Sequence, residues 1–236
     1  HEIRTPLNGV IGLSQLLNTS NLNEEQREMV ETIQTSANAL LYLVNDILDF
    51  SKIEAGKATT TLTTFNLRTL VTTTVRMLLP QANSQGINLH SSIDNQIPDY
   101  IVGDDQHLRQ VLINLIGNAI KFTNEGEVDV RLVRLSSTEQ NIQIRFEIID
   151  TGVGISQDDH SRIFQSFQQA DSSFTRQHDG TGLGVTISNQ LVTLMGGKLK
   201  LQSSPGQGSR FWFDLEFSSA VGEVPEAKTL SQENTE

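Results

Sequence analysis

The chain has 236 residues and a formal net charge of −11, enough to bury a hydrophobic core in one or two domains. Its 17 basic residues against 28 acidic ones argue against a surface built for a nucleic-acid backbone, which needs clustered cations. No run approaches the ~18 apolar residues of a membrane-spanning helix, and the absence of cysteine excludes disulfides, Cys-ligated zinc and thiol nucleophiles.

The chain opens on His1 rather than Met, which reads as a processed chain or a piece of a longer one. Residues 1–56 have helical periodicity. Leu7, Val10, Ile11 and Leu17 mark a first apolar face, and Met29, Ile33, Ala37, Leu40, Val44 and Ile47 a second. Asn18 to Asn21 is a polar loop, and Asn23-Glu24-Glu25-Gln26 is a helix start with an Asn cap and early acids. Two antiparallel helices bury little by themselves, so this hairpin calls for a partner, most simply a second copy in a four-helix bundle.

After Gly56 a threonine-rich run, Thr59–Thr64, marks a boundary with β character. The pattern then predicts a helix over 66–84, a strand over 87–93 and a helix over Asp104–Phe122. Strands at 126–135 and 142–149 flank a turn at 136–141. A helix near 181–195 and strands at 198–203 and 209–217 follow, the last two around Pro205-Gly206-Gln207-Gly208. The late strands are hairpin-connected and so antiparallel. From Ser218 onward the composition is that of a linker.

Three segments carry the chemistry. Asn114 and Asn118 lie four apart in the helix expected over Asp104–Phe122, with Lys121 three further along the same face. Carboxamide oxygens suit Mg²⁺ and an ammonium suits a phosphate, although a solvent-facing polar stripe would read the same way. Asp150-Thr151-Gly152-Val153-Gly154 follows a buried-looking strand. Asp150 there can accept a hydrogen bond from an amino group, while the glycines admit close backbone approach; an ordinary turn would also fit. Gly180-Thr181-Gly182-Leu183-Gly184 opens a helix, where free N–H groups favour phosphate, without the context of a Rossmann motif or a P-loop. Between them Phe164 and Phe167 have the spacing of core anchors, and the polar stretch 170–179 reads as a lid. Phe211 and Trp212 read as core, and His90, His107, His160 and His178 as solvated surface.

In this order the segments resemble the Bergerat-fold ATPase domain of sensor histidine kinases. His1-Glu2-Ile3-Arg4-Thr5-Pro6-Leu7-Asn8 looks like the H-box of the same family, and Asn45 to Lys57 like the end of its second dimerisation helix. The resemblance covers about 1–217. It implies an α+β architecture: a helical hairpin, half of a dimeric four-helix bundle shortened at its N-terminus, followed by an α/β sandwich ATPase domain. The expected divisions are 1–60 for dimerisation and phosphoacceptance, 61–217 for ATP binding and 218–236 for an acidic linker.

The resemblance implies roles residue by residue. His1 would accept the phosphoryl group, its imidazole with a pKa near ~6.5 being largely neutral and nucleophilic. Glu2 would take its proton, and Thr5 matches a position that helps place a water for dephosphorylating the partner. Asn118 would hold Mg²⁺ with Asn114 assisting, Lys121 would contact phosphate, and Asp150 would read adenine. Gly152, Gly154, Gly180, Thr181, Gly182, Leu183 and Gly184 would shape the nucleotide loops, and Arg176 would meet the γ-phosphate. ATP and Mg²⁺ are the implied cofactors, and a homodimer plus a receiver domain the implied partners, with no nucleic acid. The chain would be cytoplasmic, its parent anchored in the inner membrane through segments outside it.

Departures are few. Asp179 stands where the family has Gly, and Val185-Thr186 where Leu-Ala is common. With Leu22 to Glu28, that variant resembles hybrid kinases that sense diffusible fatty-acid quorum signals. Two other readings compete: a regulatory module acting chiefly as a receiver phosphatase, or a fragment inactive for want of its upstream helix. A Bergerat ATPase of the topoisomerase, mismatch-repair or chaperone kind is disfavoured by the H-box and the hairpin.

Overall fold

The computed structural model describes residues 3–164 and 182–219. His1, Glu2, Phe167, Arg176, His178, Gly180 and Thr181, together with the expected lid and most of the linker, lie outside the described residues. The chain divides into two compact units, one of residues 1–59 and 158–191, the other of 60–157 and 192–236.

In the first unit, helices α1 (Arg4–Asn18) and α2 (Glu24–Glu54) form the expected hairpin. Pro6 sits in the first turn of α1, where its missing N–H costs nothing. α2 starts with a capping box: Asn23 Oδ1 accepts the Gln26 N–H at 2.8 Å, and Gln26 Oε1 accepts the Asn23 N–H at 3.1 Å. Leu7, Val30 and Ala37 are buried between the helices, and Arg4 Nη2 donates to Asn45 Oδ1 across them at 2.7 Å. Met29, Ile33, Leu40 and Ile47 of the apolar stripe remain exposed. Two 3₁₀ turns, Gln157–Asp159 and Arg162–Phe164, lead towards the undescribed stretch. Phe164 is half-buried rather than a core anchor, because a single 3₁₀ turn does not present it to a packed face.

The second unit is a seven-stranded sheet with the path β1-β3-β7-β5-β4-β2 and β6 paired to β7. The strands are β1 (Thr63–Asn66), β2 (Asn88–Ile93), β3 (Tyr100–Gly103), β4 (Glu127–Ser137), β5 (Asn141–Asp150), β6 (Lys200–Ser203) and β7 (Ser209–Ser219). β7 runs two residues past the expected end at 217 because Ser218 and Ser219 pair with Val102 and Ile101 of β3, a strand the sequence pattern did not reveal. The late strands are antiparallel as expected, whereas β2 and β4 run parallel.

Alternation decides the two sheet faces. Val128, Val130, Leu132, Ile142, Ile144, Phe146, Ile148, Phe213 and Leu215 point to one side and are buried. Helices α3 (Leu67–Ser84) and α4 (Asp105–Lys121) supply the other half of this core, including Leu67, Val71, Leu108, Leu112, Leu115 and Ile116. Phe146 stacks on Phe213 with ring centroids 5.0 Å apart.

The opposite face is charged. Arg145 binds Asp214 in a fork at 2.7 and 2.9 Å, and this hydrogen bond holds the Asp214 carboxyl below its ordinary pKa. Arg210 pairs with Glu147 and lies 5.0 Å over the Trp212 ring. Trp212 is therefore half-buried on the outer face and not core: it alternates with Phe211 and Phe213, so only its neighbours point inward. Helix α5 (Gly184–Leu194) buries Ile187, Leu191 and Val192.

Phe146→Ala should cost about 3–5 kcal/mol, the price of a large buried ring removed from a close-packed core, read as a lowered urea midpoint without a change in slope.

Candidate active site

The site grows from the end of β5. Asp150 is only 6% exposed, and its Oδ1 accepts two backbone N–H groups, from Gly152 at 2.9 Å and from Ser209 at 3.1 Å. Burial pushes the carboxyl above its ordinary pKa, and the hydrogen bonds from Gly152 and Ser209 only partly offset this. The two backbone bonds fix the group's orientation through Oδ1.

The surrounding loops meet backbone to backbone. Val153 N–H donates to the Phe122 carbonyl at 3.1 Å, and Gly206 N–H to the Val153 carbonyl at 2.7 Å. Gly154 (φ +68°) and Gly208 (φ +76°) occupy the left-handed region, and a Cβ there would lie 2.0 Å from the Ser204 carbonyl oxygen and 1.9 Å from that of Asp150. Ser203 Oγ accepts the Ile155 N–H at 2.8 Å, donates to the Gly208 carbonyl at 2.8 Å and lies 3.1 Å from Ser209 Oγ. The turn between β6 and β7 is thus part of the site. Its signal was a hairpin turn with two glycines followed by serine, which sequence reading took as connection only.

Helix α4 brings the other predicted residues to the same loop. The Phe122 carbonyl that receives Val153 caps this helix, so its last turn, with Asn118 and Lys121, adjoins the Asp150–Gly154 loop, and Asn114 lies one turn further back. All three are half-buried on one face, and Lys121 Nζ stands 5.1 Å from the Phe122 ring centre. Asp104 caps the other end of α4, its Oδ1 accepting the His107 N–H at 3.0 Å. His107, expected on the solvated surface, instead places Nδ1 2.7 Å from Asp104 Oδ2. Its i+3 spacing from the cap folds the ring back onto the buried carboxylate. Burial raises the Asp104 pKa, but the hydrogen bonds from His107 and Thr61 and the charge of His107 outweigh it and hold it below its ordinary value.

The other predicted residues fall elsewhere. Thr5 is exposed on α1. In the first unit Gly182 has φ +67°, Leu183 is buried, and Gly184 begins α5. His90 is exposed, 4.0 Å from Glu127, and His160 is half-buried.

Two family models match the chain. The His Kinase A (phospho-acceptor) domain covers residues 1–56, and the histidine kinase-, DNA gyrase B-, and HSP90-like ATPase covers 103–219. The chain belongs to the histidine kinases. This kinase core is 45% identical over 215 residues to the signal transduction histidine-protein kinase BarA of Escherichia coli K12, covering 91% of this chain and 23% of BarA. It is 43% identical over 231 residues to the sensory/regulatory protein RpfC of Xanthomonas campestris, covering 98% of this chain and 32% of RpfC. The crystal structure of full-length ShkA in complex with AMPPNP superimposes with a TM-score of 0.75 at 35% identity, over 93% of this chain and 45% of that one. The kinase core thus spans about a quarter to a third of the curated relatives it matches. RpfC and BarA match at similar identity, so similarity does not single out one narrower group of sensor kinases. No helix among the described residues is long and apolar enough to cross a membrane.

The native Asp150 carboxyl binds its proton more tightly than the unfolded chain's, so acidification through its folded pKa favours the native state, and ionisation above it costs stability. A ¹³C NMR titration from about pH 7 to about pH 3 should show one aspartate, absent in Asp150→Asn, protonating above the ordinary carboxylate range of ~3.9; a midpoint at or below that value would contradict the burial argument.

Proposed function

We propose that this core takes the γ-phosphoryl group of ATP onto His1 and passes it to a receiver aspartate in two-component signalling. The observation that carries the reading is the buried Asp150 carboxylate, held through one oxygen by two backbone N–H groups at the rim of a glycine-lined cradle. Such an acceptor suits the exocyclic amino group of adenine. The ATP analogue bound to ShkA and the names of the relatives, sensor and signal-transduction proteins, support it.

Asn118, with Asn114 one turn earlier, offers neutral oxygen donors to Mg²⁺, which fits a cation that keeps most of its shell for water and phosphate. When bound, Mg²⁺ neutralises charge on the β- and γ-phosphates. Lys121 supplies a further positive charge; the family resemblance alone assigns phosphate contacts to the glycine segment 180–184 and Arg176, of which Arg176, Gly180 and Thr181 lie outside the described residues. At the acceptor, the His1 imidazole nitrogen bonds to the γ-phosphorus as the bond to the β-phosphate oxygen breaks. Glu2 takes the ring proton and ADP leaves. Thr5 serves the reverse task of placing water for receiver dephosphorylation.

The domain reading places dimerisation and phosphoacceptance in 1–60, ATP binding in 61–217 and a linker to the receiver in 218–236. Dimerisation has its own support. Leu7, Val10, Thr32, Ile33, Ser36, Ala37 and Leu40 line an apolar groove of about 310 Å³ on the hairpin, and a second hairpin fills such a seam. In the cell the core works in the cytoplasm, with the parent protein anchored in the inner membrane.

At its natural length the protein, given labelled ATP and Mg²⁺, should form an acid-labile, alkali-stable phosphoprotein. His1→Gln should abolish the label, and Asn118→Ala should cut its rate by about 10²-fold or more. Label persisting in His1→Gln would remove His1 as acceptor. Ile33→Glu would bury a carboxylate in the seam and should weaken the dimer at least about tenfold in sedimentation equilibrium; an unchanged dimer would move the interface elsewhere.

A further inference from the structure

We propose that Asp104 is a positioning residue for phosphoryl transfer: it fastens the connector arriving from the phosphoacceptor hairpin to the head of the helix that carries Asn114, Asn118 and Lys121. The proposal rests on the kinase reading above.

α2 is closed off by the bond from Lys57 N–H to the Lys52 carbonyl at 2.9 Å. Four residues later the chain is caught again, where Thr61 N–H donates to Asp104 Oδ2 at 2.9 Å. Two residues on, the Thr63 hydroxyl donates to Asp105 Oδ1 at 3.0 Å, and Thr63 enters the β1–β3 ladder opposite Gly103. Two adjacent carboxylates at the start of α4 therefore hold the incoming connector, and only 58–60 lie between its anchors.

The chemistry of Asp104 goes beyond capping. A helix cap needs one acceptor oxygen, which Ser, Thr or Asn supply equally well. Asp104 spends Oδ1 on that task with His107 N–H, while Oδ2 receives Thr61 N–H and the His107 ring nitrogen. Only a carboxylate offers two acceptor oxygens here. The group is 4% exposed, where charge-assisted bonds are worth most and an unfilled acceptor costs most.

The consequence is kinetic. The acceptor imidazole and the ATP-binding loops belong to segments joined by this connector, so their encounter depends on its free length and on the angle at which it is held. Releasing Thr61 lengthens the free stretch from residues 58–60 to 58–62, since β1 begins at Thr63. The −3/2 power dependence on tether length gives roughly a twofold loss from this alone, and loss of orientation adds to it.

Thr61→Pro removes the N–H and leaves every side chain of the latch in place; Thr61→Ala keeps the N–H and is the control. In the protein at natural length, Thr61→Pro should lower the autophosphorylation kcat roughly two- to tenfold, with KM for ATP and affinity for a fluorescent ADP analogue within about twofold of the parent. Thr61→Ala should match the parent. Asp104→Asn should speed amide exchange at Thr61 about tenfold. The proposal is overturned if Thr61→Pro keeps the parent kcat, if Thr61→Ala is impaired equally, if KM rises in step with the loss of kcat, or if exchange at Thr61 is unchanged in Asp104→Asn. A parent protein that takes no label would instead overturn the kinase reading, while the exchange measurement still judges the latch.

Discussion

A carboxylate held away from water at the end of β5 organises the nucleotide half of this molecule. Asp150 is buried, and desolvation of its charge is tolerable only because fixed N–H dipoles replace the lost water. Those dipoles belong to Gly152 and Ser209, two positions joined by the antiparallel register that sets Asp150 opposite Ser209. The carboxylate thus demands that the loop after β5 and the start of β7 lie against each other. Gly154 and Gly208 answer that demand, since a Cβ at either would enter a neighbouring carbonyl. Ser203 ties the same two loops with one hydroxyl. Few single changes near Asp150 are therefore independent.

The sheet makes that arrangement rigid. One face is a dry core closed by α3 and α4, with Phe146 and Phe213 stacked at its centre. Because α4 is pinned to this face by Leu108, Leu112, Leu115, Ile116 and Ile120, its polar positions 114, 118 and 121 cannot rotate inward and must point away from the core. Hydrophobic packing so determines where the magnesium and phosphate candidates stand. The other face needs no helices, because alternation places Arg131, Arg145, Glu147, Arg210 and Asp214 there in ion pairs with cross-strand or near neighbours.

Periodicity is why much of this was legible in the sequence. The hairpin, α3, α4 and the long strands repeat at 3.6 or 2 residues over many positions, and Asn23 and Asp104 announce helix starts through their side-chain chemistry. The legible part of the site was likewise local: an Asp at a strand end followed by glycines, and polar residues four apart on one helix. Features decided by distant partners were not legible. β3 is only Tyr100–Gly103, too short to show alternation, and exists because β1 and β7 flank it. Trp212 looks like core by type, yet its parity in β7 assigns it to the charged face. His107 looks solvated until the buried oxygen of Asp104 is seen to need it.

The two units meet the burial requirement differently. The ATP-binding unit encloses its own core, so its exposed large apolar side chains, among them Leu62, Met77 and Phe122, are scattered. The hairpin leaves Val10, Leu13, Leu17, Met29, Ile33, Leu40 and Ile47 exposed along two helices, a contiguous pattern that a lone hairpin cannot stabilise. On the proposed reading a second hairpin completes the bundle, and a connector of three residues joins the end of α2 to the Asp104 latch. Bending or rotation at the hairpin would be lost in a long, loose tether, but the three residues between Lys57 and Thr61 leave little room for such loss. In the proposed mechanism, packing in the bundle and hydrogen bonding at the head of α4 act on one variable, the freedom with which the nucleotide is presented to its acceptor.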